Sequence, residues 1–251
     1  LSSCGSVPLT GRKQVLLVSD QEVLSSSLTQ YSDYMKSAKK SSSKDGAAMV
    51  TRVGKKIAAA TEQYLRNNGL ESEIKNFAWE FNLVNDPQVN AFCMPGGKIV
   101  VYEGLMQLVS SDDELAVVVG HEVAHAVAKH SNERMSQQLM AQYGAQILGQ
   151  ALSNKSAAVQ KIGASVYGLG AQYGVMLPFS RKHESEADYM GLVFMAMAGY
   201  NPAVAVNFWQ KMSAGKSGST PEFMSTHPSD ATRINEIKQH LPEIEKYRVK
   251  K

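Results

Sequence analysis

The sequence predicts an α+β protein, mainly helical, with a small antiparallel sheet beside one helix that carries His121-Glu122-Val123-Ala124-His125. Three observations predict it. Apolar residues recur at helical spacing over much of the chain, as in Val50, Val53, Ile57, Ala60 and Tyr64. Period-two alternation is confined to Phe77 through Val84, and a short apolar run, Lys98 to Tyr102, follows the turn Pro95-Gly96-Gly97. The HEVAH stretch sits in an apolar helical run opened by a capping box, Ser111-Asp112-Asp113-Glu114.

In chain order, residues 1–13 are expected to be a flexible tether and residues 14–251 a single domain. Gln14 to Val18 reads as a short strand or packed arm. Ser19-Asp20-Gln21-Glu22 is a capping box that opens a helix through Val23, Leu24, Leu28 and Tyr31. Ser37 to Gly46 is a Ser/Lys-rich loop, and a second amphipathic helix runs from Ala47 to Asn68, where Asn68-Gly69 ends it. The two strands follow. Lys98, Ile99, Val100, Val101 and Tyr102 are expected to form an exposed edge just before the HEVAH helix, able to hold an extended peptide by adding it as one more strand. Ser131 to Gln150 continues helical, and Ala141 to Phe179 reads as a small-residue helical hairpin. Ser180 caps a helix that Gly199 ends, Asn201-Pro202 opens another, Ser213 to Pro221 is a mobile loop, and a last helix carries Arg233, Ile234 and Ile237.

Composition excludes several function classes. A formal net charge of +3 over 251 residues implies no polyanionic partner, so nucleic acid is set aside. Two cysteines, Cys4 and Cys93, are too few for a disulfide framework or a cysteine-rich zinc site. No run of eighteen apolar residues reads as a membrane span.

The chemistry lies in the HEVAH spacing. Residues four apart share a helix face, so His121 and His125 can aim two imidazole nitrogens at one point. Zinc takes such nitrogens in a tetrahedral site, and Glu122 can reach a water on the metal as general base. A hydrolytic zinc needs a third protein ligand and an open position. Candidates are His130, His183, Glu184, Glu186, His227 and His240. The best donor segment is His183-Glu184-Ser185-Glu186-Ala187-Asp188, in which Glu184 and Asp188 share a face and Glu186 points away from it. Glu184 can ligate while Asp188 accepts a hydrogen bond from a ligand histidine, as such histidines require.

HEVAH, then Ser180-Arg181 with Glu184-Ser185-Glu186-Ala187-Asp188, then His227-Pro228 with Arg233, resembles the gluzincin metallopeptidases that include HtpX, the type I CAAX prenyl proteases, BepA and LoiP. The likeness extends over roughly Ala47 to Gln239, and a compact LoiP-like periplasmic lipoprotease is the closer likeness within it. The resemblance implies a zincin-like fold, one zinc per chain held by His121, His125 and Glu184, and Asp188 behind the ligands. It implies Glu122 as catalytic base and His227 and Arg233 as donors to the tetrahedral oxyanion, with His227 able to plug the zinc site at rest. Leu1-Ser2-Ser3-Cys4 resembles a bacterial lipobox, which makes Cys4 a lipid anchor and the bacterial periplasm the expected location. The expected partner is a polypeptide, and membrane contact comes only through that anchor. The function expected is an endopeptidase for misfolded or specific envelope proteins. The alternative is a periplasmic chaperone or assembly factor that uses the peptide groove with little cleavage. A structural zinc domain ranks below both, because the chain has no CxxC.

Overall fold

The computed structural model describes residues 3–144, 155–166, 178–214 and 220–250. The chain opens with a hairpin in which β1 (Ser3–Ser6) pairs antiparallel with β2 (Lys13–Leu16). This corrects the tether expected over residues 1–13. Val7, in the hairpin turn, is 1% exposed and joins the main core, and Arg12 inserts between two carboxylates. Burial and charge pairing hold down a segment whose composition suggested neither.

α1 (Asp20–Ser37) begins where the Ser19 hydroxyl accepts from the Glu22 amide at 3.2 Å. α2 (Lys44–Asn67) starts three residues earlier than its apolar periodicity suggested, because Ser43 caps it through the Gly46 amide. β3 (Glu80–Val84) follows. β4 (Ala91–Met94) and β5 (Lys98–Tyr102) form a hairpin about Gly96 and Gly97, whose φ values of 96° and 86° favour glycine. The strand order is β3-β5-β4, with β5 parallel to β3 and antiparallel to β4. The three-stranded sheet is therefore mixed, and only the N-terminal sheet is purely antiparallel. The same order corrects the expected edge. Lys98–Tyr102 is the central strand, hydrogen-bonded on both sides, and its full burial is what a central strand needs. Among the described residues, the edge on that side is β4.

A short helix, α3 (Glu103–Met106), leads to α4 (Asp112–Val127), capped as expected by the Ser111 hydroxyl on the Glu114 amide. α4 is buried on nearly every face from Leu115 to His125, as befits a central helix. Lys129 then takes a left-handed conformation, φ 56° and ψ 35°, and α5 (His130–Tyr143) leaves in a new direction. α6 (Lys155–Val166) packs on α1 and α5. The helical hairpin expected over Ala141 to Phe179 lies largely outside the described residues, as do residues 215–219 of the expected mobile loop.

α7 (Arg181–Met197) starts at Ser180, whose hydroxyl accepts from the His183 amide. It crosses α4 at backbone contact. A Cβ placed on Gly191 would lie 2.7 Å from the backbone of Gly120, and one on Gly120 2.7 Å from the Gly191 carbonyl. Two glycines thus let the helices touch backbone to backbone, one residue from His121. α8 (Ala205–Ala214), α9 (Glu222–Thr226) and α10 (Ala231–Ile244) close the far side. No described helix is long and apolar enough to cross a membrane.

Candidate metal centre

The α4–α7 crossing brings the expected ligands together. His121 Nε2 and His125 Nε2 lie 3.0 Å apart, and the Glu184 carboxylate is 3.2 Å from the first and 3.0 Å from the second. Zinc bonds of 2.0–2.1 Å place tetrahedral ligand atoms roughly 3.3 Å apart. All three side chains are at most 3% exposed. The remaining nitrogens show which way the rings are protonated. His121 Nδ1 is 2.9 Å from Asp188 Oδ1, and a carboxylate only accepts, so Nδ1 carries the hydrogen. Its Nε2 is then bare and faces a second ring nitrogen and a carboxylate. Lone pairs gathered this way in a buried site call for a cation between them. The residues present therefore fit zinc.

The charge balance agrees. Burial opposes a charge on His121, but Glu184 and Asp188 outweigh it and raise its pKa to about 9. Burial pushes His125 well below its usual value. Glu184 sits well below the carboxylate range, since His227, His121 and Arg233 outweigh its burial. The site is tuned to hold one extra positive charge, and without metal a proton on His121 takes that place.

Glu122 stands beside the ligands, 3% exposed, and accepts from the Cys93 amide of β4. Burial raises its pKa, which suits a carboxylate that must take up a proton. His227 reaches into the same space. Its Nδ1 is 2.9 Å from Glu184 and 3.3 Å from His121 Nε2, and its Nε2 is 3.1 Å from Glu122. It therefore completes a four-residue group, with His121, His125 and Glu184, able to surround one ion. Phe223 stacks on the His227 ring at 4.2 Å and Phe179 on the His125 ring at 3.9 Å. The cleft that reaches Glu122 runs along Asn90 to Cys93, so the free edge facing it is β4.

Arg233 lies against the two carboxylates of α7. Its Nη2 donates to Asp188 Oδ1 at 2.9 Å, with Nε on the other carboxylate oxygen. Its Nη1 serves Glu184 at 3.0 Å and the Pro228 carbonyl at 3.0 Å. Arg233 thus spans the Asp188 and Glu184 carboxylates and holds them in place. Asp188 lies where expected, between Arg233 and His121. Cys4 is exposed on β1.

Among the candidates for the third ligand, His130 is five residues past His125 and by spacing lies away from the ligand face. It is off that face, but the left-handed Lys129 folds it back under His125, with Nδ1 to Nδ1 at 2.8 Å. The signal was the histidine itself, five residues past a ligand that still needed a hydrogen-bond partner. Arg12 and Glu133 gave no signal at all.

Fold and site together set an HExxH helix against a glutamate on a second helix, with side chains that could hold a metal ion. The chain belongs to peptidase family M48, which residues 51–241 match. It is 36% identical to the mitochondrial metalloendopeptidase OMA1 of Schizosaccharomyces pombe over 205 residues, 78% of this chain and 53% of that protein. It is 40% identical to the OMA1 of Arabidopsis thaliana over 168 residues, 67% of this chain and 33% of that one. A bacterial relative, the beta-barrel assembly-enhancing protease of Yersinia pestis, is 33% identical over 174 residues, 64% of this chain and 36% of that protein. The chain thus spans about half or less of these relatives' length.

Proposed function

We propose that this chain is a zinc-dependent endopeptidase acting on misfolded or specific cell-envelope proteins. The observation that carries the reading is the convergence of His121, His125 and Glu184 within 3.2 Å of one another, with Glu122 alongside. Zinc held there supplies an acidified water and a Lewis acid for the scissile carbonyl. Glu122, buried beside these residues with its pKa raised, would be the group that takes up a proton there and releases it to a leaving amine. The β4 edge, Ala91 to Met94, holds the substrate backbone as an added strand. Such binding reads little side-chain identity, which suits unfolded substrates.

His227 has two positions in this reading. At rest its ring lies against Glu184 and Glu122, where it would restrain activity, and this contact supports the chaperone-like alternative. Displaced by substrate, its ring is a donor for the oxyanion, beside Arg233. Cys4 is proposed as a lipid anchor in a bacterial periplasm, on the lipobox-like Leu1-Ser2-Ser3-Cys4 and the exposed place of its side chain. Labelled fatty acid that stays on a Cys4→Ser protein would remove that part.

The test of the enzyme is Glu122→Gln. It should keep its zinc and lose cleavage of an unfolded protein by about 100- to 10,000-fold. Glu184→Ala should lose the metal as well. Full proteolysis by either variant would overturn the assignment.

A further inference from the structure

Behind His125 lies a buried chain of contacts that ends in the N-terminal hairpin. His125 Nδ1 is 2.8 Å from His130 Nδ1, and His130 Nε2 is 2.8 Å from Glu186 Oε1. Glu186 also accepts from the Thr10 hydroxyl at 2.7 Å and from Arg12 Nε at 3.1 Å and Nη2 at 2.9 Å. The same guanidinium grips Glu133, with Nη1 and Nη2 each 2.7 Å from an oxygen. His183 Nε2 reaches Glu133 from the other side at 3.2 Å. His130, Glu133, His183 and Glu186 are all buried.

The hydrogen order along this chain follows from its end. The Glu186 carboxylate beside Arg12 is an acceptor, so His130 Nε2–H donates to it. Nδ1 of the neutral His130 ring is then an acceptor, and His125 Nδ1–H donates to it. That leaves His125 Nε2 bare, and Nε2 is the nitrogen that faces His121 and Glu184. A hydrogen bond on one imidazole nitrogen fixes which tautomer the ring adopts and where it aims the other.

We infer that Arg12, acting through Glu186 and His130, is a positioning residue for His125, so that the docked N-terminal hairpin is a working part of the metal site. The inference rests on the reading of His125 as a metal ligand. A separate cation site in the same cluster fits less well. The ligand atoms of His130, Glu133 and His183 lie within 4.8 Å of one another, but both nitrogens of His130 are engaged and Arg12 covers both oxygens of Glu133.

The test is metal affinity of the full chain, read by competition for zinc against a chromophoric chelator and by the ligand-field spectrum of bound cobalt(II). His130→Gln and Glu186→Gln should weaken zinc by about 10- to 100-fold, and Arg12→Gln by roughly tenfold. Their cobalt spectra should shift, because His125 is re-aimed. Arg12→Lys should recover part of the loss. In Arg12→Gln combined with His130→Gln the losses should not add, since both cut one chain. Melting of the metal-free proteins reports folding separately. If Arg12→Gln and Glu186→Gln melt lower yet keep wild-type zinc affinity and cobalt spectrum, the hairpin is a clamp on the fold only and the inference fails. Should Arg12→Gln not fold, Glu186→Gln decides by the same two readouts. His125→Ala separates the two levels: it must abolish tight zinc binding, and if it does not, the ligand reading fails rather than the relay.

Discussion

The two histidines of the HEVAH helix are supported in the same style from opposite directions. His121 leans on Asp188, which is held by Arg233. His125 leans on His130, then Glu186, which is held by Arg12. Each chain ends in an arginine that satisfies a carboxylate, and each leaves an Nε2 bare for the metal. They differ in where their parts come from. The first support comes from the α7 face that also carries Glu184 and from the last helix. The second needs a left-handed elbow at Lys129 and a hairpin more than 100 residues before the motif. One support starts on the helix that supplies Glu184, and the other is brought in by a docked hairpin.

The largest expected effect strikes both supports together. Gly191→Val puts side-chain atoms into the Gly120 backbone, where nothing can yield by a rotamer change. It should cost about 3 kcal/mol or more and abolish zinc binding, measured by denaturant unfolding and metal content. Asp188→Ala strikes the first support alone. It leaves the Arg233 cation buried without its main partner, at a cost of about 3–5 kcal/mol in the metal-free protein. Arg12→Gln strikes the second, and should cost less, about 1–3 kcal/mol, because that arginine lies nearer solvent. Equal costs for the two would erase the distinction between a deep support and a peripheral one.

Depressed carboxylates give both supports an acid limb, and His121 adds an alkaline one to the first. Burial opposes charge on Glu133 and Glu186, but Arg12 and the histidines outweigh it and hold both near a pKa of about 2. A depressed pKa stabilises the fold above the ordinary carboxylate value and is lost as pH falls toward 2. His121 is raised to about 9 in the metal-free protein, so its contribution is complete below about 6.5 and fades as pH rises through 9. Melting temperature against pH should therefore show an acid limb that flattens in Arg12→Gln and an alkaline limb that flattens in His121→Gln. The smallest effect is a control. Arg52→Ala removes an ion pair with Asp112 at the exposed start of the same helix and should leave zinc affinity unchanged.

The comparison also explains what was legible in the sequence. Helices were readable because their caps are local. Ser19, Ser111 and Ser180 all accept the amide three residues on. The convergence of His121, His125 and Glu184 was readable because i to i+4 spacing fixes a face on HEVAH and again on Glu184 and Asp188. Sheet order was not readable, because which strand lies inside depends on pairing between segments. Lys98 to Tyr102 therefore took the place that belongs to Ala91 to Met94. That Arg233 joins two buried carboxylates was not readable either, because those contacts form only when α7 and the last helix pack together. Arg12 lay beyond reach, since a lone arginine in a polar N-terminal segment carries no local sign of a partner 174 residues away.

The central claim is that Glu122 activates water at a zinc held by His121, His125 and Glu184. The direct measurement is zinc content together with cleavage of an unfolded protein, for wild type and Glu122→Gln side by side. The account predicts one zinc per chain in both, and cleavage by the wild type alone. Cleavage by Glu122→Gln at the wild-type rate, or a wild type that carries its zinc and cuts nothing, would contradict it.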